Sequence, residues 1–136
     1  MAATIDIRCE NGIWADLRIT NDSDTAVRIH NPGNYTPTER WEFSREAYQV
    51  AVLRSFHFLE MTLQTEGEHV AESPDAVTRA DHLVGLPVLL QPGAELVVRI
   101  PLNEFYELRR DANYSLALTY GDATARVSAT AQFRWS

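Results

Sequence analysis

The stretch "RRDANYSLALTYG", residues 109–121, decides how this chain is read. After Asp111-Ala112-Asn113 it alternates, with Tyr114, Leu116, Leu118 and Tyr120 on one side and Ser115, Ala117 and Thr119 on the other. A period of two puts successive side chains on opposite faces of a sheet, so this run predicts a strand buried on one face. Its continuation has the same form. Past "YGDAT", which reads as a hairpin, Val127, Ala129, Ala131, Phe133 and Trp135 alternate with Arg126, Ser128, Thr130, Gln132 and Arg134. The two runs predict an antiparallel pair.

Working outward, the pattern recurs. Residues 4–10 set Ile5, Ile7 and Cys9 against Asp6, Arg8 and Glu10, and residues 13–20 set Ile13, Ala15, Leu17 and Ile19 against Trp14, Asp16, Arg18 and Thr20. Asn11-Gly12 between them is a strong two-residue hairpin signal, because a type I′ turn needs positive φ at both positions. Further strands are predicted over 25–31, over 58–64, near 69–72 and along Leu96, Val98, Ile100 and Leu102. Two readings stay open for "FSREAYQVAVLRS", 43–55: Ser44 and good helix formers favour a short helix over about 44–54, while Tyr48, Val50 and Val52 stand at strand spacing. The "NPGNYTPTERW" segment breaks the alternation with two prolines and a glycine. The expected fold is all-β: an antiparallel sandwich of about seven or eight strands.

Composition agrees. A chain of 136 residues has the usual size of one domain, so a single unit spanning 1–136 is expected. No stretch approaches the apolar length of a membrane span, and "MAATIDIRCENG" has none of the features of a secretory leader, which leads us to expect a cytoplasmic protein that does not engage a membrane. One cysteine, Cys9, excludes an internal disulfide and multi-cysteine zinc sites. On the apolar face of Ile5 and Ile7 it is expected to be a small buried hydrophobe. All twelve basic residues are arginine, compatible with a GC-rich bacterial genome. The net charge of −7 argues against nucleic acid as a partner. Much of that charge lies between residues 60 and 82, where Glu60, Glu66, Glu68, Glu72, Asp75 and Asp81 face only Arg79.

"PLNEFYELRRDANYSLALTYG", preceded by "LLQPGAELVVRI", resembles the E-to-F region of immunoglobulin-like and fibronectin type III-like sandwiches: a Pro-Gly turn, an alternating strand, a loop, then Asp-x-x-Tyr entering the next strand. In such folds that tyrosine packs in the corner and its hydroxyl bonds back to backbone a few residues upstream, a role the resemblance assigns to Tyr114. With "DLRITNDSDTAVRI" the order of strands is also similar to small bacterial sandwiches that act as inhibitory or accessory domains. The paired cysteines of true immunoglobulin domains are missing.

Catalytic signatures are not found. There is no G-x-S-x-G elbow. His30, His57, His69 and His82 are widely spaced, without H-E-x-x-H. Some of them lie near acids, but in what reads as a solvated loop, so neither a metal nor a cofactor is expected. "NDSDTAVRIHN" lacks the glycine and terminal glutamate of a calcium loop. Three N-x-S/T triplets, at Asn21, Asn34 and Asn113, are read as chance. What remains is surface. Tyr35, Arg40 and Trp41 sit on the longest early loop and are residue types that anchor interfaces, although Trp41 can equally fold back over the sandwich end. Glu66, Glu68, Glu72 and Asp75 form an acidic segment able to steer a basic partner. The expectation is a non-enzymatic, protein-binding sandwich, such as an inhibitor or immunity-type protein covering the active site of a protease or basic toxin. Alternatives are a carbohydrate or small-ligand module using Tyr35, Trp41 and Trp14, or an accessory subunit of a larger assembly. Homo-oligomers through edge strands are also compatible with an open sandwich.

Overall fold

A computed structural model describes residues 1–31, 35–37, 40–73, 87–122 and 125–136 of the chain. Its first hairpin forms around Asn11-Gly12: β1 (Ala2–Cys9) and β2 (Ile13–Thr20) pair antiparallel from Ala2↔Thr20 to Cys9↔Ile13. Both turn residues take positive φ, 53° and 114°. Because Cys9↔Ile13 closes the ladder, Glu10 also belongs to the connection, and the loop has three residues rather than the expected two. Asn103 fixes its shape. The Asn103 Oδ1 accepts from the Ile13 N–H at 2.6 Å and lies 2.8 Å from where a Cβ on Gly12 would stand.

The other edge of β2 pairs antiparallel with β7 (Glu95–Pro101), completing a three-stranded sheet in the order β1-β2-β7. A second sheet contains β4 (Leu59–Thr65), β5 (Glu68–His69), β8 (Ala112–Gly121) and β9 (Arg126–Trp135), ordered β5-β4-β8-β9 and antiparallel throughout. A short ribbon of β3 (Val27–Ile29) and β6 (Val88–Leu90) stands apart from both. The fold is all-β and sandwich-like, with one short helix and a single further helical turn among the described residues.

That short helix is α1 (Arg45–Ser55), and it settles the segment left open above. Ser44 caps it, with Oγ accepting from the Ala47 N–H at 3.1 Å. Six of its residues, Ala47, Tyr48, Val50, Ala51, Val52 and Leu53, are buried. A helix apolar on most sides belongs inside a core. It carries no amphipathic period, which is why sequence periodicity could not separate it from a strand. Its cap is anchored by the helical turn α2 (Leu102–Phe105), where the Glu104 carboxylate accepts from the Ser44 N–H at 2.9 Å and the Ser44 hydroxyl at 2.5 Å. No described helix is long and apolar enough to cross a membrane.

The inner rows meet in one core: Ala15, Leu17 and Ile19 from β2, Val98 and Ile100 from β7, Leu59 and Leu63 from β4, and Leu116, Leu118 and Tyr120 from β8, around α1. The margins are wetter. β1 runs alongside β9, and the inner side chains of both, such as Ile5, Ile7, Ala129 and Phe133, are only half-buried. Cys9 is exposed, contrary to the expectation of burial. It ends a marginal strand whose inner row is never fully covered, so alternation alone does not bury it.

Candidate functional site

Pairing registers carry residues from four strands onto the outer face of the second sheet. One row reads His69, Gln64, Ser115, Gln132; the next Thr62, Ala117, Thr130; the third Glu60, Thr119, Ser128. The centre of this face is therefore built from small hydroxyl and amide side chains with no charge. Charges lie at its ends, where Arg126 pairs with Glu60 at 3.0 Å and Arg134 approaches Asp111 at 3.8 Å. Thr119 and Ser128 hydroxyls bond each other at 2.9 Å. The side chains of Gln64, Asn113, Ser115 and Gln132 make no hydrogen bond to any described residue and are half-buried or exposed.

These four line an open cleft of about 400 Å³, and the connection between β4 and β5 overhangs it. Thr65↔Glu68 closes that ladder, so Glu66-Gly67 is a two-residue turn, with φ of 51° and 81°. Such turns favour Asn-Gly or Gly-Gly, because a side chain at positive φ is strained. Here a glutamate occupies the strained position. Glu66 and Gly67 both line the cleft, and Glu68 is exposed beside them.

The sheet behind the cleft is held by Tyr114. Its ring is buried and stacks on Phe133 at 5.2 Å, and its hydroxyl accepts from the Arg109 N–H at 2.7 Å while facing the Arg109 carbonyl at 3.3 Å. This is the bond back to upstream backbone that the corner role requires. Tyr114→Phe is expected to lower unfolding free energy by about 1 kcal/mol or more. Urea denaturation checks it; unchanged stability would remove the corner from the account.

The residues singled out in the sequence scatter. Glu66 comes to the cleft; Glu68 is exposed next to it but does not line it. Glu72 lies away from it, exposed but ion-paired with Arg54, beside an isolated bridge from Glu72 to Tyr106. The Arg54 guanidinium also sits over the Phe105 ring at 5.5 Å, and burial pushes the Tyr106 phenol up to about 12. Asp75 and His82 fall outside the described residues. Tyr35 is 4% exposed and belongs to the core. Trp41 folds back, its ring edge-on to Tyr48 at 4.9 Å and to Phe43 at 5.6 Å, and its Nε1–H donates to the Ser44 carbonyl at 2.9 Å. Of that loop trio only Arg40 is exposed. An aromatic on a loop is as valuable for plugging a sandwich end as for meeting a partner.

Sequence reasoning missed Gln64, Asn113, Ser115 and Gln132. Their signal was the polar half of each alternating strand, which reads as plain solvent exposure until the register aligns it. His30 is buried, stacks on Phe58 at 3.7 Å and lies 3.3 Å from Asp122, with its backbone N–H and carbonyl both bonded to the Tyr120 hydroxyl. Among the described residues no three His, Cys, Asp or Glu side chains gather as metal ligands do. No protein-family model matches the chain, and no curated protein shows significant similarity to it.

Proposed function

We propose that the chain is an immunoglobulin-like, fibronectin type III-like recognition domain that binds another protein and catalyses no reaction. Support for the kinship comes from the order of strands in the two sheets and from the Tyr114 hydroxyl bond. Support for binding comes above all from Glu66. A carboxylate kept at φ 51°, where Asn or Gly would be more stable, and set over a cleft of unspent amide and hydroxyl groups, is more easily explained by recognition than by folding. In its sharper form, the protein is an inhibitor or immunity type. Glu66 and Glu68 draw in a basic protease or toxin, and the face with its uncharged centre then covers the partner's active site.

The test starts from a pull-down of the tagged protein at low and moderate salt and continues with surface plasmon resonance on the captured partner. Glu66→Asn with Glu68→Gln is expected to slow association about tenfold at low salt and to leave dissociation nearly unchanged. Glu66→Asn alone should raise unfolding stability by up to about 1 kcal/mol as the strain is released. An association rate indifferent to these changes would refute the steering role. Affinity that survives Thr62→Arg and Thr130→Arg would refute the docking face.

A further inference from the structure

We infer a second binding site, for a neutral saccharide of one or two rings, in the groove around Trp14 on the outer face of β1-β2-β7. Trp14 occupies the middle strand, between Arg8 on β1 and Pro101 on β7. Its indole is held in place. The Nε1–H donates to the Glu10 carbonyl at 3.0 Å, and the Arg8 guanidinium lies 5.5 Å from the ring centroid. Arg8 is itself clamped by two bonds to Asp16, at 2.7 and 3.1 Å, and one to Glu10 at 2.8 Å. A half-buried aromatic ring fixed in this way costs little to order on binding.

Two hollows meet at the ring. One, of about 220 Å³, is lined by Arg99 and Glu46; the other, of about 160 Å³, by Pro101, Asn103 and Glu104; Trp14 and Asn11 belong to both. Each is smaller than the roughly 300–1,000 Å³ pockets of drug-sized ligands, which suits one small ring apiece.

Charge chooses the ligand class. Elsewhere on this face the ions are satisfied internally: Arg18 holds Asp6 at 2.7 Å and Glu95 at 2.8 Å, and Arg8 holds Asp16 and Glu10. Arg99 and Glu46 are the exception. They line the same hollow yet form no ion pair with each other or with any described residue. An anion placed there would satisfy Arg99 and meet Glu46; a cation would do the reverse. A hydroxyl group accepts from the guanidinium and donates to the carboxylate, so a polyol satisfies both at once. Asn103 adds a donor, because its Oδ1 is committed to the Ile13 N–H and its amide nitrogen is not. The C–H face of a pyranose carries the partial positive charge that the negative face of an indole attracts.

The experiment is a tryptophan-fluorescence titration with cellobiose, maltose, xylobiose and diacetylchitobiose, followed by amide chemical-shift mapping. A saturable response to at least one sugar is expected, with shifts centred on Asn11, Trp14, Arg99 and Asn103. It should vanish in Trp14→Ala, weaken roughly tenfold in Arg99→Ala and in Glu46→Gln, and persist in Trp135→Phe. Arg99 and Glu46 bond nothing described, so those two variants keep the test decisive should Trp14→Ala fail to fold. No response to any of the four sugars, or a response indifferent to Arg99 and Glu46, overturns the site.

Discussion

Replacing Asn21 by Ala is expected to lower unfolding free energy by about 3 kcal/mol, far more than a loop asparagine normally costs. Asn21 is fully buried. Its amide nitrogen donates to the Thr25 and Leu90 carbonyls, each at 2.8 Å, and its Oδ1 accepts from the Ser23 N–H at 3.0 Å and the Ser23 hydroxyl at 2.6 Å. Its backbone joins in as well, donating to the Ala94 carbonyl at 3.0 Å and accepting from the Gly93 N–H at 2.7 Å. The side chain thus ties the end of β2 to the chain before β3 and to β6, while the backbone ties it to the turn before β7. Alanine removes the amide donor from the buried Leu90 carbonyl, and losing the partner of a buried polar group costs about 1–3 kcal/mol. Asn21→Asp is the informative control: nearly isosteric, it points an oxygen at two carbonyls and should be at least as damaging at neutral pH. Urea unfolding with an unchanged m-value is the measurement. A loss below 1 kcal/mol in both variants would show that the loops hold without this link.

Gly121→Ala should be comparably severe for a different reason. Gly121 ends β8 at φ 129°, outside the region open to residues with a side chain. A Cβ there would lie 1.9 Å from the Ala125 carbonyl oxygen and 2.9 Å from the Arg126 Cα, both backbone atoms that cannot swing aside. The hairpin would have to open, straining the bonds from the Gly121 N–H to the Phe58 carbonyl and from the Asp122 N–H to the Ala125 carbonyl. Backbone strain of this kind costs about 1–3 kcal/mol before the displaced ladder is counted, so a loss of roughly 3 kcal/mol or more is expected. Gly93→Ala isolates the strain: its φ is 79° with nothing within 4 Å of the added carbon, so about 1 kcal/mol should suffice there. Thermal melts of the two variants, compared side by side, decide the matter. Equal shifts would mean that the Ala125 clash is relieved cheaply.

Asn21 and Gly121 also show where sequence reading stopped. Alternation located β2 and β9 to the residue and β8 nearly so, because each has one wet face and a period of two. β3 shrank to Val27–Ile29 from the expected 25–31, and β6 was not expected at all, since three residues are too few to show a period. Leu102 looked like the end of a strand and instead begins α2. Asn21 looked like a turn residue because four residues in a row are polar there; its burial depends on Leu90, distant in sequence, arriving beside it. The candidate site had the same fate. Glu66 and Glu68 were legible as charge, whereas the amide and hydroxyl cleft exists only once β4, β8 and β9 are in register. Tyr35 and Trp41 were legible as aromatics, but type alone does not tell a plug from an anchor.

The packing of β1 against β9 has a consequence for biosynthesis. β1 rests against β9, more than a hundred residues later in the chain, so this side of the sandwich stays open until Trp135 has been made. Contacts of such large separation are slow to form. During that interval Ile5 and Ile7 of β1 lack the β9 row that half-covers them, making the nascent chain, rather than the finished fold, the form most in need of a chaperone.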